Sequence, residues 1–167
     1  RIMRTTLLVT CFLLASVVNY AQKTETMYLS GIDLDHTKTW EFYCTKGRNS
    51  NVWSTIEVPS CWELKGFGTF NYGNRVENLS DEKGIYRYNF MVPANWKNKS
   101  INIVFEGSMT DTEVKINNKL VGPAQQGAFY RFKYDISKLL RIGQKNILDV
   151  TVSKMSSDSS INGAERV

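Results

Sequence analysis

Histidine occurs once in this sequence, and cysteine and proline three times each. A single imidazole and so few thiols leave too small a ligand set for the usual zinc sites. There is no Gly-x-Ser-x-Gly elbow and no glycine-rich phosphate cradle, which argues against the corresponding hydrolase and nucleotide chemistries. Lysines and acids are interspersed, with no basic run of the kind that tracks nucleic acid. No internal repeat or low-complexity tract occurs. The longest apolar stretch, Leu7 to Val18, is too short to cross a bilayer comfortably.

That stretch carries a different meaning. Arg1 and Arg4 precede it and polar Gln22-Lys23-Thr24-Glu25 follows it, the pattern of a secretory signal. Cleavage is expected near Ala21, although Asn19 fits the small-residue rule poorly, and Met3 is a plausible start. Cys11 lacks the small residues that precede a lipoprotein cysteine, so no lipid anchor is expected. The expectation is therefore an exported protein, periplasmic or secreted, with no membrane contact after cleavage. Removing Arg1 and Arg4 leaves 19 basic residues against 16 acidic ones, a net +3 where the full chain has +5. Two cysteines remain, Cys44 and Cys61. They could pair in an oxidising compartment, but two small, unpaired buried residues are the favoured reading.

What is abundant is period-two alternation. Trp40, Phe42 and Cys44 share one face of a run, as do Tyr86, Tyr88, Phe90 and Val92. Ile101, Ile103 and Phe105 repeat the pattern, then Val114 with Ile116, and Leu148, Val150 and Val152. Such runs mark strands with one buried face. Asn117-Asn118 lies between two of them and reads as a hairpin turn, because asparagine tolerates positive φ. Asp135 to Leu140 can form one helical turn capped by Asp135 or Ser137; nothing else after the signal looks helical. The economical architecture is all-β, about eight strands in a jelly-roll β-sandwich. The divisions are a signal peptide over 1–21, a lead-in over 22–37, the sandwich over 38–155 and a cut connection over 156–167.

Candidate chemistry is sparse. His36 sits in Asp33-Leu34-Asp35-His36-Thr37, where Asp33 and Asp35 offer calcium-type oxygens without an EF-hand spacing; a solvated acidic turn is the better reading. No metal and no cofactor is evident. Glycosidic hydrolysis needs two carboxyls flanking the bond. Glu57, Glu63, Asp111 and Glu113 are available, Glu63 beside Trp62 being the most tempting and Glu113 pointing to solvent. The segment from Ser60 to Lys83 breaks the alternation and gathers Trp62, Phe67, Phe70 and Tyr72 among glycines and Asn74. Aromatic rings stack on the C–H faces of sugars, and amides bind their hydroxyls. Trp62, Phe67, Tyr72 and Asn74 therefore make a carbohydrate-facing set, with Asn74 foremost. The competing reading has the aromatics, Trp62 above all, pinning the loop to the sandwich. The triplets Asn78-Leu79-Ser80 and Asn98-Lys99-Ser100 are glycosylation acceptors only in a eukaryotic host.

Several phrases in order resemble one family. They are Val58-Pro59-Ser60-Cys61-Trp62-Glu63, Gly84-Ile85-Tyr86-Arg87-Tyr88, Val92-Pro93-Ala94-Asn95-Trp96 and Phe105-Glu106-Gly107. The series continues with Val114 to Gly122, Tyr134 to Leu140 and Gly143 to Val152. Together they are similar to the N-terminal sugar-binding domain of family 2 glycoside hydrolases, over roughly residues 38 to 167. The resemblance implies an exported retaining exo-β-glycosidase, most like a β-galactosidase, acting on a β-linked oligosaccharide or polysaccharide. It implies partner domains of the same enzyme, immunoglobulin-like and TIM-barrel, with the catalytic glutamates in the barrel and none in this segment. Tyr72-Gly73-Asn74 matches a family pattern in which the asparagine contacts the substrate sugar. The substrate-binding expectation is thus Asn74, Tyr72 and Trp62. Two other readings remain open at this point, a stand-alone carbohydrate-binding module and a structural or protein-interaction sandwich.

Overall fold

The computed structural model describes residues 24–70 and 81–165. The signal-like segment, Tyr72, Asn74 and the triplet at Asn78 lie outside the described residues. Eight strands occur among those described: β1 (Lys38–Cys44), β2 (Trp53–Val58), β3 (Lys83–Met91), β4 (Asn102–Phe105), β5 (Asp111–Ile116), β6 (Lys119–Leu120), β7 (Phe132–Asp135) and β8 (Lys145–Ser153). Six form one sheet in the order β2-β1-β3-β8-β5-β6, and β4 pairs with β7 in a second. Every pairing is antiparallel.

Alternation decides which side of each strand is inside. In β1, Trp40, Phe42 and Cys44 are buried while Thr39 and Glu41 are exposed. In β8, Asn146, Leu148, Val150 and Val152 point inward. β8 runs beside β3 for nine paired residues, from Lys83↔Ser153 to Met91↔Lys145. These two strands form the middle of the large sheet. Ile103 of β4, with flanking Ile101 and Ile136, joins the same apolar cluster as Phe42, Val114 and Leu148, so the small sheet closes the other side of one core. The expected all-β sandwich is what forms.

Asn117 and Asn118 adopt φ of 52° and 64° and turn β5 into β6, as their residue type predicts. Residues 135–140 close as a single turn, in which the Leu139 amide donates to the Ile136 carbonyl at 2.9 Å. Asp135 caps it by accepting from the amide and hydroxyl of Ser137. Two helical pieces run against expectation. A 3-10 turn spans Ala94–Trp96, and α1 spans Ser159–Glu165 inside the segment expected to be a connection over 156–167. Local capping explains α1: Asp158 Oδ1 accepts from the Ser160 amide at 2.9 Å and from its hydroxyl at 2.6 Å. The Asn162 side chain then clasps the backbone of Ser156 from both sides.

Candidate functional site

The irregular segment after β2 begins with Ser60 and folds back over the end of the sandwich as successive turns. Trp62 enters the core, 5% exposed, within 6.1 Å of Phe42 and 6.5 Å of Tyr86 by ring centroid. Phe67 is buried beside it, edge-on to Phe42 at 4.9 Å. Of the two readings of these aromatics, the packing one describes where Trp62 and Phe67 are. In this domain neither ring offers a free face to a sugar. Phe70, by contrast, is exposed.

Beneath this loop lies a buried ionic cluster that links distant parts of the chain. Lys154, just past β8, places its ammonium 2.9 Å from Glu63 and 3.0 Å from Glu82, the residue before β3. The three side chains are at most 2% exposed. Glu82 also accepts the Trp62 indole N–H at 3.1 Å, and the Thr69 amide donates to its two oxygens at 3.1 and 3.0 Å. Lys154 donates to the Thr69 carbonyl. The Cys61 thiol donates to the second oxygen of Glu63 at 2.9 Å. Gly68 has φ of +64°, and a Cβ there would stand 2.3 Å from Glu82, so only glycine lets the loop approach this closely.

Burial raises the Glu82 carboxyl, but the Thr69 amide, the Lys154 ammonium and the Trp62 indole outweigh it and hold the group below the usual glutamate range. Glu82 is therefore a buried carboxylate. Burial pushes the Cys44 and Cys61 thiols up, which keeps them protonated and unreactive near neutrality. Both cysteines are free and Cys44 is buried, as the favoured reading has it, but Cys61 is only half-buried.

The geometry also disposes of the carboxylates weighed for catalysis. Glu63 and Glu82 are two carboxyls in one place, but they are sealed from solvent and share a lysine, so no glycosidic oxygen can reach them. Glu57 accepts from the hydroxyls of Thr37 and Thr39. Asp111 anchors the backbone and hydroxyl of Ser157. Glu113 pairs with Lys115 on the open face of the large sheet. Asp33 closes a turn by accepting from the amides of Asp35 and His36 and from the His36 ring. No trio of potential metal-ligating side chains clusters among the described residues.

A shallow groove flanks the cluster, lined by Gly47, Arg48, Gly68, Thr69 and Phe70. Arg48 stiffens its floor by donating to the carbonyls of Glu63 and Gly68. The groove lies at the point where the chain enters the residues that carry Tyr72 and Asn74.

Against this geometry, the family model described as "Glycosyl hydrolases family 2, sugar binding domain" matches residues 33–165. The chain belongs to glycosyl hydrolase family 2. Residues 33–165 are that family's sugar-binding domain, as the ordered phrases had implied. A β-galactosidase of Psychromonas ingrahamii is 30% identical over 120 residues, covering 66% of this chain and 11% of its own length. A β-glucuronidase of Formosa agariphila is 29% identical, with 66% of this chain and 11% of its length covered. Among solved structures, a β-D-mannosidase from Dictyoglomus thermophilum aligns with a TM-score of 0.53 at 28% identity, covering 70% of this chain and 15% of that one. A β-D-glucuronidase from the same organism aligns at 0.55 over 81% of this chain and 21% of that one; at 23% identity it speaks for the fold alone. The chain thus spans 11% of the length of either curated relative.

Glu82 and Lys154 are the residues that sequence reasoning passed over. Their signal was faint: a charged residue just before one alternating run and another just after a second, each at a position where the pattern calls for burial.

Proposed function

We propose that this domain serves an exported retaining exo-β-glycosidase of β-galactosidase type, acting on β-linked oligosaccharides or polysaccharides. The domain lends a loop to the substrate pocket, and glutamates of a TIM barrel elsewhere in the same enzyme cleave the bond. An immunoglobulin-like domain joins the two. The observation that carries this reading is the sugar-binding family match over 33–165. The locked state of the carboxylates near the loop agrees with it, because they leave this domain to bind rather than to react.

Asn74 is the proposed sugar ligand, its amide hydrogen-bonding a ring hydroxyl, with Tyr72 beside it. Trp62 serves the same loop from below as its anchor. The test is Asn74→Ala in the enzyme that contains this domain, assayed on p-nitrophenyl β-D-galactopyranoside and on the matching glucuronide and mannoside. Loss of one ligand hydrogen bond, about 0.5–1.5 kcal/mol, corresponds to a roughly twofold to tenfold rise in KM. A KM unchanged on every glycoside that the enzyme hydrolyses removes Asn74 from the site.

A further inference from the structure

The buried cluster is an expensive way to hold a fold together. Two carboxylates and one ammonium are withdrawn from water, and such arrangements are often no more stabilising than apolar residues of the same volume. Its cost is better understood from what it holds. The peptide units on either side of Thr69 are gripped from two directions: Glu82 takes the amide on both oxygens, and Lys154 takes the carbonyl. The grips themselves are fixed to the most firmly paired part of the sheet. Glu82 immediately precedes β3 and Lys154 immediately follows β8, and the Lys154 amide donates to the Glu82 carbonyl at 3.0 Å, extending the β3–β8 ladder by one more bond. Glu63 stands apart in this respect. It pairs with Lys154 and takes the Cys61 thiol, and the side-chain bonds holding Thr69 come from Glu82 and Lys154.

Thr69 lies three residues before Tyr72 and five before Asn74. We propose that Lys154 and Glu82 are positioning residues for sugar binding: by clamping the peptide groups of Thr69 to the ends of β3 and β8, they set the point from which the sugar-contacting residues depart. This inference rests on the sugar-binding role given to the loop above. A displaced starting point weakens binding of the substrate, so the effect falls on KM more than on kcat.

The test uses the full-length enzyme and p-nitrophenyl β-D-galactopyranoside, or whichever of the three aryl glycosides the wild type hydrolyses. Lys154→Met combined with Glu63→Gln removes one positive and one negative charge together, so the net charge of the cluster is unchanged and Glu82, though it loses its ammonium, keeps the Trp62 and Thr69 donors. Glu63→Gln alone keeps both grips on Thr69. The double variant is expected to raise KM about fivefold to tenfold with kcat within threefold, and the single variant to leave KM within twofold. A purely structural cluster predicts the opposite pattern, with KM following the loss of melting temperature in both variants. If the double variant does not fold, Glu82→Gln replaces it. Its uncharged amide has one acceptor for donors that now share two, and its KM is expected to rise several-fold. A folded double variant, or a folded Glu82→Gln enzyme, with wild-type KM overturns the inference. When Asn74→Ala raises KM and these variants do not, the sugar-binding reading stands and the clamp alone is wrong. A wild type that hydrolyses none of the glycosides removes the reading and the clamp with it.

Discussion

Gly84 shows how a single missing Cβ accommodates the loop. It opens the exposed-to-buried alternation of β3 at the spot where Trp62 descends into the core. A Cβ placed there would lie 2.7 Å from two atoms of the Trp62 ring and 2.8 Å from the ring of Phe42. Both neighbours are buried aromatics with little room to retreat. Gly84→Ala is therefore expected to destabilise the domain by about 1–3 kcal/mol, the usual cost of overpacking, measured as a shift in urea midpoint. Gly163 in α1 supplies the contrast. Nothing lies within 4 Å of a Cβ there, so Gly163→Ala should be neutral or slightly stabilising, since alanine favours helix. At this scale the sequence was only half readable. The phrase Gly84-Ile85-Tyr86-Arg87-Tyr88 flagged the glycine, but not that its purpose is to receive Trp62. For Trp62 itself, residue type permitted both a sugar platform and a packing anchor, and only the contacts with Phe42, Tyr86 and Glu82 separate them.

At the scale of elements, the strands were the legible part and their partners were not. Period-two burial follows from backbone geometry, so every alternating run became a strand with its apolar side inward. Register and sheet membership depend on contacts far apart in sequence, and β4 with β7 shows why that matters. A two-stranded sheet is marginal by itself. This one has the Phe105–Phe132 stack at 4.8 Å on directly paired residues, and its hold on the molecule is Ile103, with Ile101 and Ile136 alongside. Ile103→Ala should cost about 2–4 kcal/mol through the cavity it leaves. The loss should also be local. Amides of β4 and β7 should exchange with deuterium well before those of β3 and β8, as followed by hydrogen-exchange mass spectrometry. Uniform loss of protection across both sheets would show instead that the small sheet is not a separable unit. α1 escaped the sequence reading because Ser159–Glu165 has no apolar stripe; its cap at Asp158 and the clasp by Asn162 are polar and local.

For the molecule as a whole, the buried charges make acid the condition to which it responds most. Glu82 and Asp111 are both held below their ordinary values. In each, burial opposes the shift and hydrogen bonds overcome it, from Thr69, Lys154 and Trp62 for Glu82 and from Ser156, Ser157 and Gln126 for Asp111. A carboxyl with a lower pKa folded than unfolded binds protons more readily in the unfolded chain, so protonation favours unfolding. The stability it contributes is complete above the unfolded value, 4.5 for a glutamate and 3.8 for an aspartate, and disappears as pH falls through the lower folded value. The melting temperature should accordingly stay level between about pH 7 and 5 as far as these groups are concerned, then fall steeply below about pH 4.5. Glu82→Gln separates this cluster from the surface carboxylates that are also depressed, such as Glu57 and Asp135, because it removes a titrating group from the interior alone. That variant should melt lower than wild type at pH 7, where it lacks the carboxylate that holds Lys154 and Thr69. As pH falls through the depressed folded value of Glu82 the two curves should converge, because the wild type then loses the same charge. Parallel curves, offset by the same amount at every pH, would mean that Glu82 does not titrate with unfolding and that the surface carboxylates set the acid limit.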